Sequence, residues 1–345
     1  MLTADQTLQY NAVRTSAGII DRGARGRIVV RGNDRKTFLH ALLTNDIAIL
    51  AANAGCYAAF LTPQGRMVAD MHVFELGDAT LLDVPLPVKD SLLAKFDQLI
   101  FTEDVQIADA TGACGCVSVQ GAEAPRIVGR TLGGGSDSGA ETLAADLSAW
   151  PAFRSARIDL DGEVAILARV DEFLLPGFLL FAPAGLLPKL AAALSAAGAA
   201  LPDPEVVETL RMEAGVPLFL VDMTDDTIPL EAGIEAQAIS STKGCYPGQE
   251  VIVRIRDRGH GRVVRKLVGL TIDGAIAPQP GDKLLIDGKE SGHVTSAAVS
   301  PALGKPIALG YVHRDHATPG TRMSVARGDA RLDAAVTALP FVPFP

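Results

Sequence analysis

Four cysteines in 345 residues, Cys56, Cys114, Cys116 and Cys245, are too few and too irregularly spaced for a disulfide scaffold. There is no CxxC pair and no Cys/His cluster at zinc spacing; Cys114 and Cys116 share one face of a strand, but two ligands do not make a site. Long apolar runs are also missing: Asn53 breaks one and Lys189 another, so none reaches the ~20 residues of a membrane span. The start, Met1-Leu2-Thr3-Ala4-Asp5, has no basic region leading into an apolar stretch, so no export signal is visible and the cytoplasm is the expected compartment. Basic charge is in deficit. A net charge of −9 repels a phosphate backbone, and nucleic-acid binding would need a local basic patch.

What is present is ample core material. Hydrophobic residues are 48% and charged residues 21%, which excludes a disordered or collagen-like chain, and the length suits two or three domains. Arg27 to Val30 reads as a strand, and Asn33 or Asp34 can cap a helix carrying Phe38, Leu39, Leu42 and Leu43. Cys56–Leu61 and Met67–Leu76 flank the turn Pro63-Gln64-Gly65 as a hairpin, and Val88 to Ile100 has helical spacing. Strand-like runs follow around Val105 and Val117. The segment 133–139 is Gly/Ser-rich and reads as a flexible loop or insertion between two halves. Arg157–Leu160 and Val164–Val170 are joined by Asp161-Gly162, a hairpin signal; a strand at Gly177–Ala182 and a helix at Leu186–Ala197 complete an order that echoes the first half. Pro204 opens a helix ending at Gly215. Six short strands between Lys266 and Ala338, with no helix among them, suggest a small barrel. The expected fold is α+β: a duplicated α+β region over 1–260 and a β-barrel domain over 261–345.

The stretch richest in chemistry is Lys243-Gly244-Cys245-Tyr246-Pro247-Gly248-Gln249-Glu250, followed by a strand-like Val251-Ile252-Val253. Glycine and proline force tight turns there and let backbone approach a ligand. Lys243, two residues before Cys245, is placed to lower the thiol pKa and make it nucleophilic; the alternative is a buried, inert cysteine at a turn between domains. Beyond it, Arg254, Arg256, Arg258, Arg262, Arg265 and Lys266 face a single acid, Asp257. Such a patch suits carboxylates or an RNA backbone, or is a strand with one solvated face, and it lacks the interleaved aromatics of a single-strand binder.

The octapeptide closely resembles the signature of the YgfZ branch of the folate-binding superfamily that also contains the glycine-cleavage T-protein. The resemblance runs along nearly the whole chain. It includes Leu210 to Pro217, Ile228-Pro229-Leu230-Glu231, Leu43-Thr44-Asn45-Asp46, Gly65 to Asp70, and Gly292 to Ser296 with Gly310-Tyr311-Val312. It implies a three-lobed chain with a tetrahydrofolate site in a central hollow closed by the barrel. Asp70 matches the carboxylate that faces the reactive end of folate, and strand alternation puts it with Val68, His72 and Phe74, opposite Met67, Ala69, Met71 and Val73. By the same resemblance Cys245 and Lys243 join Asp70 as catalytic candidates, and Asp70, Arg211, Glu231, Tyr246, Gln249, Glu250 and Arg254 as folate-binding candidates, with no metal site. Two departures from the T-protein pattern are Ala69 in place of a first acid and Leu175 where an acid binds the pterin, with Glu172 close but out of register.

The leading expectation is therefore a YgfZ-like folate-binding protein assisting iron–sulfur cluster assembly or repair in client enzymes. Its partners would be folate and iron–sulfur client or carrier proteins, with no nucleic acid and no membrane, and the chain a monomer. The alternative is a folate-dependent aminomethyltransferase of the T-protein type; a third reading, supported only by the basic stretch, is a tRNA-modification accessory protein.

Overall fold

A computed structural model describes residues 2–133, 137–259 and 261–343. An opening helix α1 (Ala4–Thr15), closed by a reciprocal Thr3–Gln6 capping box, leads into two α+β lobes and a closed barrel.

The first lobe runs β2 (Arg25–Arg31), α2 (Arg35–Leu42), β3 (Gly55–Leu61), β4 (Met67–Glu75), β5 (Thr80–Pro85), α3 (Lys89–Asp97) and β6 (Gln106–Asp109), after β1 (Gly18–Asp21). Its sheet has the order β3-β4-β5-β2-β6. The second lobe runs β7 (Cys114–Gln120), α4 (Ala124–Leu132), α5 (Asp137–Ser148), β8 (Ser155–Leu160), β9 (Glu163–Arg169), β10 (Gly177–Pro183) and α6 (Leu187–Ala196). Its sheet, β1-β7-β10-β9-β8, repeats the first order reversed, with one exchange: the edge that β6 fills in the first lobe is filled here by β1 from the chain start. The duplication expected from the strand–helix order is present, and β1 and β5 are strands the sequence reading did not place.

Period-two alternation divides the core. On the first sheet, Ile28, Val30, Ala69, Met71, Val73, Leu82 and Val84 pack with Phe38, Leu39, Leu92 and Phe96 of α2 and α3. On the second, Val117, Val119, Leu167, Phe178 and Leu180 pack with Ile127, Val128, Leu190 and Leu194 of α4 and α6. The opposite faces meet each other: Phe74 and Leu81 from one sheet join Cys116, Ala168, Leu179 and Phe181 from the other. The result is four layers, helix–sheet–sheet–helix.

Helix α7 (Pro204–Ala214) stops at Gly215, whose left-handed φ of 67° closes the last turn. A loop-rich segment then contributes Phe219, Met223, Leu230, Ile234, Tyr246, Ile252 and Val263 to a cluster with Ala59, Leu61 and Met67 of the first sheet. The barrel follows with β11 (Arg265–Ile272), β12 (Lys283–Ile286), β13 (Lys289–Ser300), β14 (Lys305–His313), β15 (Arg322–Arg327) and β16 (Ala330–Thr337), closed in the order β11-β14-β13-β12-β15-β16. All six strands match the expected ones. Asp161-Gly162 and Asp287-Gly288 turn their hairpins with both φ positive, as the dipeptides imply.

Two expectations are corrected. Val251-Ile252-Val253 is helical, in the short helix Gln249–Val253 that continues as a π-helix over Arg254–Arg258, so the arginines there do not alternate as on a strand. Short β-branched runs are ambiguous between strand and helix, and Gly248 starts a helix here. The Gly/Ser-rich segment is shorter than its composition suggests: 137–139 open α5, while Gly134, Gly135 and Ser136 lie outside the described residues.

The inter-sheet apolar contact is what holds the lobes face to face. Phe181, 1% exposed, meets Phe74 edge-on at 5.7 Å between centroids. Phe181→Ala is expected to cost about 3–5 kcal/mol in urea unfolding, because neither sheet can collapse into the vacated volume.

Candidate functional site

The inter-sheet layer is apolar at one end and charged at the other. The same alternation that directs Phe74 and Leu81 inward also directs Asp70, His72 and Asp83, and from the facing sheet Ser118 and Gln120. Two arginines enter here, Arg22 from the link between β1 and β2 and Arg25 from the first position of β2. Arg22 Nη2 donates to Asp83 Oδ2 at 3.2 Å, and its Nη1 meets Glu172 Oε1 at 2.6 Å. Arg25 Nε donates to Asp83 Oδ2 at 3.0 Å and its Nη2 to the Asp83 carbonyl at 2.5 Å. Arg25 Nη1 stands 3.5 Å from Asp70 Oδ1. His72 Nδ1 lies 3.3 Å from Asp83 Oδ2. Glu172 Oε2 accepts from Ser118 Oγ at 2.8 Å and Gln120 Nε2 at 3.4 Å.

A continuous chain of charges thus runs Asp70–Arg25–Asp83–Arg22–Glu172 across both lobes. Burial alone would raise the Asp83 carboxyl, but Arg25, His72 and Arg22 outweigh it and hold it far below its ordinary 3.8. Tyr57 Oη donates to Asp70 Oδ2 at 2.8 Å; burial, reinforced by the Asp70 charge, pushes the phenol well above its ordinary range, so it stays a donor. Asp70 Oδ1, Asp83 Oδ1, His72 Nδ1 and Arg22 Nε are buried and make no hydrogen bond.

Asp70 therefore points inward, as strand alternation implies, and is 5% exposed. Its one hydrogen-bond donor among the described residues is Tyr57, and Arg25 stands beside it as an ion-pair partner. No hydrogen bond or ion pair among the described residues joins it to Arg211, Glu231 or the 243–250 turn, which hold the other folate-binding candidates. The connection to the turn is apolar and passes through Tyr57, whose ring packs in the cluster containing Tyr246 and Ile252. Surface cavities of about 450 Å³ between α4 and α5 and about 360 Å³ beside Arg262, Lys266 and Arg314 do not include Asp70 in their walls.

Arg211 and Glu231 serve other contacts. Arg211 Nη1 donates to Asp222 Oδ2 at 2.7 Å, and its Nη2 reaches Ser296 Oγ of the barrel at 3.0 Å and Glu208 at 2.6 Å. Glu231 accepts from Arg265 Nε at 3.1 Å and from the Ile228 amide at 3.3 Å. Both tie elements together at the base of the barrel. With Arg265 on Glu231 and Arg256 on Asp257, the basic stretch offers fewer free cations than its sequence suggests.

Lys243 is buried and turned away from solvent. Its Nζ donates to the carbonyls of His40, Leu43 and, at 3.1 Å, Asn45, where α2 ends, and lies 5.1 Å from the Tyr246 ring centre. Burial pushes its ammonium down to about 8, and the thiol it acts on is Cys56, whose pKa it lowers against the larger effect of burial. Activation of Cys245 by Lys243 was expected from their spacing; the tertiary fold instead uses the lysine to cap a helix. Cys245 itself is exposed, on a turn fixed by Gly248. With φ of 82°, Gly248 would place a Cβ 2.5 Å from the Thr62 carbonyl, so the close approach it permits is to the β3–β4 turn. Glu250 and Arg254 are exposed and Gln249 half-buried, and their side chains make no hydrogen bond or ion pair among the described residues. None of the described residues forms a group of three His, Cys, Asp or Glu able to hold a metal ion. None of the described helices is long and apolar enough to cross a membrane.

Both departures from the T-protein pattern change meaning in three dimensions. Ala69 faces the α2/α3 core, so an acid there would not share the face of Asp70. Leu175 is fully buried among Tyr10, Val13, Ile20 and Leu210, away from the charged layer. Glu172, three residues earlier, puts its carboxylate into that layer, but both its oxygens are engaged. Asp70 Oδ1 is thus left as a buried acceptor without a hydrogen bond, while no carboxylate stands at position 175. Arg22, Arg25, Tyr57 and Asp83 were missed, and Glu172 was noted only as an acid out of register; the inward alternation of Asp83 with Leu81 was a signal available for that residue.

Comparison with known proteins follows the same architecture. The GCVT N-terminal domain matches residues 4–242, and the glycine cleavage T-protein C-terminal barrel domain matches 265–343. The aminomethyltransferase of Rubrobacter xylanophilus is 33% identical over 304 residues, 88% of this chain and 78% of its own. That of Cutibacterium acnes is 32% identical over 339 residues, 96% and 89% of the two chains. The crystal structure of glycine cleavage system aminomethyltransferase T from Bartonella henselae superposes with a TM-score of 0.85 at 21% identity, covering 98% of this chain and 89% of that one, a likeness of fold.

Two measurements test the electrostatics. Because the folded Asp83 carboxyl titrates below its ordinary 3.8, its contribution is complete above that pH and is lost as pH falls further. The stability gap between the wild type and Asp83→Asn, read by urea unfolding, is accordingly expected to narrow between pH 5 and pH 3. In timed alkylation, exposed Cys245 should react first. Cys56, with its thiol pushed up to about 12, and Cys114 and Cys116, both raised by burial, should follow slowly.

Proposed function

The chain belongs to the glycine-cleavage T-protein family, and from that premise we propose that it binds tetrahydrofolate at Asp70 and transfers an aminomethyl or related one-carbon unit. The observation that carries this reading is Asp70 Oδ1, a buried carboxylate oxygen with no hydrogen bond, on the inner face of β4. The names of the relatives, matched over 88–96% of this chain, support the same chemistry. When bound, tetrahydrofolate supplies the nucleophilic nitrogen that takes up the one-carbon unit. Asp70 Oδ1 accepts the N–H of that cofactor and orients it, and is the group on hand to receive a proton. Tyr57 fixes the other oxygen, so the carboxylate presents one defined lone-pair set. The packed sheet faces keep bulk water from the carboxylate.

A second reading is favoured by Cys245. An exposed thiol on a rigid turn is suited to transient contact with a cluster carried by another protein, as in the YgfZ-like role. Both readings share the folate site and part at the cysteine.

Thermal unfolding with added tetrahydrofolate tests the shared part: at a hundredfold excess over Kd the wild type should gain about 2.7 kcal/mol, and Asp70→Asn should lose most of that gain. An assay with tetrahydrofolate and an aminomethyl donor separates the rest. Transfer that survives Cys245→Ser supports the first reading. Absence of transfer, together with loss of iron–sulfur enzyme activity in cells carrying Cys245→Ser, supports the second.

A further inference from the structure

The least expected feature of the charged layer is that Asp70 Oδ1 stays unbonded with an arginine beside it. A guanidinium 3.5 Å from a buried carboxylate oxygen would ordinarily close on it as a charge-assisted hydrogen bond. Arg25 does not, because its other nitrogens are committed. Nε is held by the Asp83 carboxylate at 3.0 Å and Nη2 by the Asp83 carbonyl at 2.5 Å. Asp83 is itself held on several sides. It is fully buried on β5, directly opposite His72 of β4 in the ladder, and Arg22 holds the same oxygen that Arg25 binds. Arg22 is in turn anchored on Glu172 of the second lobe.

We propose that Asp83 is a positioning residue for the folate site: it restrains Arg25 and so keeps Asp70 Oδ1 open as an acceptor. The inference rests on the placement of tetrahydrofolate at Asp70. Asp83 touches neither folate nor any reacting atom; it acts through the arginine. Its removal should let Arg25 turn onto Asp70 and occupy the lone pairs that the ligand needs. This separates restraint from ordinary structural support, because a residue needed only for stability would not have its loss repaired by removing a second buried charge.

The experiment compares tetrahydrofolate affinity, by fluorescence titration, in wild type, Asp83→Asn, Arg25→Gln and the double variant. Asp83→Asn is expected to weaken binding about tenfold, the loss of one charge-assisted hydrogen bond. Adding Arg25→Gln should restore most of that affinity, a non-additivity expected only of coupled residues. If the double variant binds no better than Asp83→Asn, the proposal is wrong. Where Asp83→Asn does not fold, Asp83→Glu takes its place: the longer carboxylate displaces Arg25 towards β4 and should show the same loss and the same repair. A crystal structure of the single variant reads the restraint without any ligand. Closure of Arg25 Nη1 onto Asp70 Oδ1 supports it, and an unchanged 3.5 Å gap overturns it. Absence of folate binding by the wild type, with closure seen in the variant, would instead remove the folate assignment and leave the restraint standing.

Discussion

The structure depends on one requirement, that charge buried between two sheets be matched within that layer. Asp83 has no solvent contact, and an unpaired carboxylate there would cost several kcal/mol. Arg22, Arg25 and His72 converge on its single oxygen Oδ2 for that reason. Since the arginines also reach Asp70 and Glu172, the pairing spans both lobes, and their spacing is set by ionic contacts at one end and by Phe74 against Phe181 at the other.

Duplication explains how an asymmetric site arises from two similar lobes. The strand orders match, yet the inner face of β4 carries Asp70 and His72, whereas β9 turns Ile166 and Ala168 into the corresponding layer. Asp70 and Asp83 come from the first lobe. Ser118, Gln120 and Glu172 of the second hold the far end of the chain of charges. Because β1 belongs to the second sheet and β2 to the first, the link between them passes the charged end and delivers Arg22 there, with Arg25 following at the start of β2.

Three further charges act as fastenings. Arg211 and Glu213 leave α7 towards the barrel, the first to Asp222 and Ser296 and the second to Ser300 and, at 2.6 Å, the Tyr10 hydroxyl of α1. Lys243 fastens the 243–250 turn to the end of α2, leaving Cys245 facing outward on a platform that cannot shift freely. A motif dense in functional side chains thus divides its labour: the lysine and Tyr246 build, while the thiol is presented.

Much of this was legible in the sequence. Period-two alternation put Asp70 and His72 on one face and Met71 and Val73 on the other, because the pleat admits only two directions. The six barrel strands and the Asp-Gly hairpins were readable for the same local reason, as was the stop at Gly215. The sequence was silent about partners. Lys243 sits two residues from Cys245 along the chain but acts about 200 residues away, on the carbonyls of α2, and Arg211 answers Asp222 and Ser296 rather than a ligand. Val251 to Val253 carries β-branched side chains that suit either state, and packing against the Gly65 turn settled it as helix. Spacing along a chain determines which face a residue occupies. Which charge meets it there depends on the second sheet, and only folding brings that sheet into place.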